Sequence, residues 1–195
     1  MNSNESLDPR IRGMERLLRA AFAAGMASRV SPIYKEYWVG DFSEKPSGAI
    51  DIAWTYACGG KVDSSEAQKC LDEVQDLLAF YRDEEDIGVL RTTMAAALYA
   101  LQSATLDEEA AIIAVKSSAG VTQHAAQYAE VMANDETSPS LQKELAVEEE
   151  RAWQEQALTL LENWKGPARR DMFDSIGAAP PTWFEDWMIR AAHLR

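Results

Sequence analysis

Apolar residues recur along this chain at three- and four-residue steps, the spacing that gathers side chains on one face of an α-helix. From about Asp8 to Arg29 the set is Ile11, Met14, Leu17, Leu18, Ala21, Phe22 and Met26, with Asp8 at the cap and Pro9 in the first turn. A short helix is expected after Pro32, carrying Ile33, Tyr34, Tyr37 and Trp38, and Gly40-Asp41 breaks it. Pro46 is expected to begin the next helix, with Ile50, Ala53, Trp54 and Ala57 inward, and Gly59-Gly60 ends it. Asp63 caps a further helix with Glu66 three residues on, and Ala67, Cys70, Leu71, Val74, Leu77, Leu78 and Tyr81 form its stripe.

The alanine-rich stretch Gly88 to Ala104 carries Leu90, Met94, Leu98 and Leu101, and its small residues predict a central helix that neighbours approach closely. Thr105-Leu106-Asp107-Glu108 reads as a capping box for a helix running toward Asn134. Ser138-Pro139 opens another that extends to Asn163 or Trp164, before Gly166-Pro167. A turn of helix is expected around Met172 and Phe173. A last short helix after Pro180-Pro181 holds Trp183, Phe184, Trp187 and Met188. No stretch alternates as a strand would. The prediction is an all-α chain, residues 1–195 as one domain, in a compact bundle or irregular array of about seven to eight helices.

Composition narrows the class. Apolar residues make up 47% of 195, enough for a real core, and no run is long enough to span a bilayer. Met1 to Glu5 lack the basic and apolar regions of a signal peptide, so a cytoplasmic protein is expected. The two cysteines, Cys58 and Cys70, read as small core hydrophobes in a reducing compartment.

The net charge is -13, and it is uneven. Asp107, Glu108, Glu109, Glu130, Asp135, Glu136, Glu144, Glu148, Glu149 and Glu150 face only Lys116 and Lys143 within their segment. A second acidic run, Asp83, Glu84, Glu85 and Asp86, falls between two helices, whereas the first helix is basic through Arg10, Arg12, Arg16, Arg19 and Arg29. Such a surface repels nucleic acid and anionic membrane and attracts basic proteins. A partner protein is therefore expected, with no nucleic acid and no membrane.

Motifs for chemistry are absent. There is no HExxH, CxxC, paired ExxH, phosphate loop or GxSxG elbow, so neither a metal nor a cofactor is expected. His124, at helical spacing between Val121 and Tyr128, reads first as a hydrogen-bonded core histidine and second as a general base without a nameable partner. Glu148 falls on a track with Leu145 and Ala152 and reads as a rim residue, or else as an inward acid paired with Arg91 or Arg29. Trp54 and Trp153 read as core.

The stretch Arg29 to Trp54, with Pro32, Tyr34, Tyr37, Gly40-Asp41, Pro46 and Ala49-Ile50-Asp51-Ile52-Ala53-Trp54, resembles the start of the all-helical immunity proteins found beside bacterial polymorphic toxins, notably the immunity protein 5 family. The alanine-rich part around His124, Ala119 to Tyr128, is similar to a later helix of that family. The likeness covers about the first 130 residues, and Pro32, Tyr34, Gly40, Asp41, Pro46, Trp54 and His124 carry it as structural positions. It implies a cytosolic antidote that occludes the active site of a cognate toxin. Antidotes to nucleases are often acidic, because they compete with a polyanion for a basic cleft. The expected contact residues are Asp83, Glu84, Glu85, Asp86, Asp135 and Glu136, with Glu148, Glu149 and Glu150 in support. The alternatives are a helical enzyme centred on His124 and a homodimeric adaptor using an exposed apolar face.

Overall fold

The computed structural model describes residues 7–32, 41–80, 88–105, 108–132 and 139–177. Seven α-helices are present among them: α1 (Asp8–Arg12), α2 (Arg16–Val30), α3 (Asp41–Ala57), α4 (Ser64–Phe80), α5 (Gly88–Thr105), α6 (Glu108–Met132) and α7 (Pro139–Glu162). A 3-10 helix, Arg170–Ile176, follows. No strand occurs among the described residues, so the chain is all-α. The segments holding Tyr34, Tyr37 and Gly40, the Asp83 to Asp86 run, Asp135, Glu136 and the tryptophan pair Trp183 and Trp187 lie outside them.

The first expected helix is two. Gly13 ends α1, its N–H bonding back to Pro9, and the backbone is extended at Glu15 before α2 begins. Glycine is a weak helix former, and a break there frees α1 to turn its arginines toward later helices. The apolar-face expectation for this region is also too narrow. Every residue from Ala20 to Ala27 is buried, so α2 has no wet face over two turns. It packs against α3, α5, α6, α7 and the 3-10 helix.

The second central helix is α5, which packs against α2, α3, α4 and α6. Ala96, Ala97, Ala100 and Ala104 are fully buried on it, and Ala111 and Ala114 are fully buried on the neighbouring α6. These small side chains allow the close approach anticipated for this stretch.

Pro46 lies inside α3 rather than at its start, because the helix already begins at Asp41, an acid suited to a helix N-terminus. Pro46 therefore has no N–H to offer the carbonyl one turn back. After α3, Gly59 takes φ 78 in the left-handed region, which turns the chain toward α4. Both cysteines depart from the core expectation. Cys58 is exposed beside that turn, Cys70 is half-buried, and both are free thiols.

Asp63 caps α4 as expected. Its Oδ1 accepts from the amides of Ser65 at 2.7 Å and Glu66 at 3.1 Å, and from the Ser65 hydroxyl at 2.7 Å. The Ser65 hydroxyl and then the two amides hold the carboxyl below the ordinary aspartate range. Glu162 is lowered too, chiefly by the hydrogen bond from Arg10. A group with a lowered folded-state value adds stability above its unfolded value, near pH 4, and loses it as pH falls through the folded value. The double variant Asp63→Ala/Glu162→Gln should therefore melt lower than the parent at pH 6, by a margin that shrinks toward pH 2. Equal differences at both pH values would show that neither carboxylate matters through its charge.

Candidate interaction surface

The polar residues form three groups: a buried cluster at the C-terminal side of the core, a groove beside α4, and an acidic helix face.

The buried cluster joins α2, α6 and α7. Arg29 and Glu150 are 4% and 1% exposed, and Arg29 Nε donates to Glu150 Oε2 at 2.9 Å. Ser118 Oγ and Gln154 Nε2 donate to the other carboxylate oxygen at 3.1 and 3.3 Å. The guanidinium lies 4.8 Å from the centre of the Trp153 ring and reaches Glu149 at 3.4 Å. Its Nη1 donates to the Gly177 carbonyl at 3.2 Å, and Trp153 Nε1 donates to the same oxygen at 2.7 Å. The buried Thr122 hydroxyl, one turn along α6 from Ser118, has no hydrogen-bond partner among the described residues.

Arg29 is therefore not part of a basic surface, and the inward acid of α7 is Glu150. Glu148 lies at the rim, the first of its two readings, and the alternative of an inward Glu148 is corrected. Glu148 is exposed, and its supposed track is wet, with Leu145 56% exposed and Ala152 exposed. The buried row runs Ala146, Glu150, Trp153, Ala157, Leu161. Glu150 therefore leaves the proposed docking face, and Glu149, half-buried, is turned to Arg29.

The same row also latches the 3-10 helix. Phe173 sits between Trp54, at 6.0 Å, and Trp153, at 5.5 Å between ring centres, over Gly25 of α2. A Cβ on Gly25 would fall 2.9 Å from Phe173 Cδ2 and closer still to Cε2. Trp54 and Trp153 are buried as expected, and Trp54 Nε1 donates to Ser28 Oγ at 2.9 Å.

His124 is not a core histidine. It is exposed and lines a groove of about 520 Å³ between α4, α5 and α6, with Leu78, Ala79, Arg91, Thr92, Ala95 and Tyr99. No carboxylate lines that groove among the described residues. The acidic run Asp83 to Asp86 falls in sequence between two of its lining residues, Ala79 and Arg91.

The charge asymmetry is partly internal. Arg10 of α1 pairs with Glu155 and Glu162 of α7, and Arg12 with Glu109 of α6. Lys116 pairs with Asp8, and Arg29 with Glu149 and Glu150. The basic N-terminal region thus lies against the acidic helices and answers much of their charge. The opposite holds on α4. Residues 63–86 carry nine carboxylates against Lys69 and Arg82. On the helix itself Glu66, Asp72 and Asp76 are exposed, and the one ion pair among the described residues is Lys69–Glu73 at 3.9 Å. No group of residues among those described has the arrangement to hold a metal ion. No described helix is long and apolar enough to cross a membrane.

No family model matches the chain, and no curated protein and no solved structure is significantly similar to it. The resemblance to the immunity protein 5 family rests on the residues named above. Of these, Tyr34 and Gly40 lie outside the described residues. Pro32 is half-buried at the end of α2, Asp41 opens α3, Pro46 and Trp54 are buried on α3, and His124 is exposed on α6.

Proposed function

We propose that this protein is a binding protein that neutralises a basic protein partner, an antidote to a cognate toxin, acting in the cytoplasm and without catalysing a reaction. The observation that carries the reading is the contrast between its acidic faces. Among the described residues, Glu109, Glu149, Glu150, Glu155 and Glu162 of α6 and α7 are paired with arginines of the same chain. On α4, Glu66, Asp72 and Asp76 are exposed, and the one ion pair among the described residues is Lys69–Glu73. An unanswered face of one sign steers a partner of the other sign and fixes its orientation. The contact residues are Asp72 and Asp76, followed in sequence by Asp83, Glu84, Glu85 and Asp86, with Asp135, Glu136 and Glu148 as further candidates. The enzyme reading centred on His124 lacks the inward Glu148 it called for, because that side chain is on the surface.

The test is co-expression with the proteins encoded by adjacent reading frames, followed by binding kinetics with any that co-purifies. Asp72→Lys/Asp76→Lys should slow association roughly tenfold at low salt and flatten its salt dependence, with dissociation little changed. A rate that is high in both proteins and indifferent to salt would remove α4 from the interface. A homodimer in sedimentation, with no neighbour-encoded partner, would favour the adaptor reading.

A further inference from the structure

The groove between α4, α5 and α6, of about 520 Å³, continues the acidic row of α4. Asp72, Asp76 and Ala79 follow one another at four- and three-residue steps, so they share one face of that helix, and all three are exposed. Ala79 is also part of the groove wall. The volume falls within the range of binding pockets, about 300–1,000 Å³. The apolar lining is open to solvent, with Leu78, Ala95 and Tyr99 half-buried beside the exposed Ala79. The groove is also pre-formed between α5 and α6. These helices meet closely at Thr92, where a Cβ on Gly120 would lie 3.1 Å from Thr92 Cγ2.

We infer that this groove is the anchor point of the basic partner, taking one tryptophan side chain whose flanking lysines or arginines meet Asp72 and Asp76. The inference rests on the partner reading above and adds the residue class that the partner must present. The chemistry follows from the lining. A cation does not suit the groove itself, which holds Arg91 and His124 and no carboxylate among the described residues. An anion does not suit its approach, which passes the acidic row, and Arg91 is already engaged by another group of the chain. An uncharged ring fits both conditions. Tyr99 of α5 and His124 of α6 offer it aromatic contacts, and the short side chains of Ala79 and Ala95 leave room for its bulk. An aromatic anchor in a desolvated pocket, within a polar surround, is the common form of a dominant contact between proteins. Charge on α4 brings the partner in and sets its orientation, and the groove slows its departure.

The experiment is an NMR titration of the full chain, at low salt, with three end-blocked pentapeptides: KKWKK, KKSKK and EEWEE. KKWKK should give saturable shifts at the methyl groups of Leu78, Ala79 and Ala95 and at the rings of Tyr99 and His124. Removing the ring, in KKSKK, should weaken binding roughly tenfold or more. Reversing the flanks, in EEWEE, should weaken it roughly fivefold. Ala95→Leu, which grows into the groove, should abolish the ring shifts, and Ala79→Trp, a change at an exposed position, should do the same. Asp72→Lys/Asp76→Lys should erase the preference for KKWKK over EEWEE. Shifts that do not saturate, that lie away from the groove, or that are equal for KKWKK and KKSKK would overturn the aromatic anchor. Equal binding of KKWKK and EEWEE would overturn the basic flanks. The association kinetics described above read the partner itself, so a groove that ignores the peptides and an α4 face that ignores the partner are separate results.

Discussion

Replacing Arg29 by Met should destabilise the fold by about 3–5 kcal/mol, the largest effect expected of any single polar substitution here. The loss is not the worth of the ion pair. Glu150, 1% exposed, would remain as a buried carboxylate with, among the described residues, Ser118 and Gln154 to meet its charge. The Gly177 carbonyl would keep its bond from Trp153 but lose the second donor. Glu150→Leu should cost less, because Arg29 would keep Glu149 at 3.4 Å and the Gly177 carbonyl. The double variant Arg29→Met/Glu150→Leu should regain most of the loss, since paired removal of buried charges is often near neutral. It should not regain all of it, because Ser118 and Gln154 would each lose an acceptor worth about 1 kcal/mol. Urea denaturation of the four proteins measures the cycle. Single variants within 1 kcal/mol of the parent would mean that water reaches the pair and that the cluster is not a closed interior.

The second large effect is at Gly25. Gly25→Ala places a methyl group into the Phe173 ring, and overpacking of this kind costs about 1–3 kcal/mol. Phe173→Ala should cost about 3–5 kcal/mol, because the ring is 2% exposed and fills the space between two tryptophans. The informative protein is the pair. In the Phe173→Ala background the Gly25→Ala penalty should vanish, since the methyl group then enters the vacated space, giving a coupling of at least 1 kcal/mol. Strict additivity would show that the 3-10 helix sits away from α2 in solution. Near-ultraviolet circular dichroism supplies a second reading, because Trp54 and Trp153 both report on the Phe173 ring.

Most of the fold was legible in the sequence, and the reason is local. The stripe Ala67, Leu71, Val74, Leu77 is a property of one helix, and so are the Asp63 cap and the Gly59-Gly60 stop. Each appears in the structure where the pattern places it. The misplacements have a common cause as well. Pro46 suggested a helix start, yet Asp41 upstream was the better first-turn residue. On α7 three consecutive glutamates left the inward position open by two residues. The row Ala146, Glu150, Trp153, Ala157 at four- and three-residue steps contained the answer, and an acid in that row was the signal of a buried pair. Its partner, Arg29, was one of the two arginines the sequence offered an inward acid, but across 121 positions the choice between it and Arg91 was not legible. Nor was the fate of Arg10 and Arg12, whose carboxylates are brought to them only by the packing of α1 on later helices. Gly25 gave a weak hint. A glycine inside an alanine run costs helix stability and asks for a packing reason, which Phe173 supplies.

The enclosure of α2 has a consequence for how the chain comes into being. A helix with one wet face can form early and wait at the surface of a growing domain. The Ala20 to Ala27 stretch has no such face, and its neighbours include α6, α7 and Phe173. At ~5–20 residues per second, synthesis takes on the order of ten seconds or more to run from this stretch to the end of the 3-10 helix. For that time this apolar segment has no finished site to enter. Its contacts are long-range in sequence, so closing them is slower than in an up-and-down bundle of the same length. The packing of α2 is therefore finished only when the 3-10 helix brings Phe173 onto Gly25.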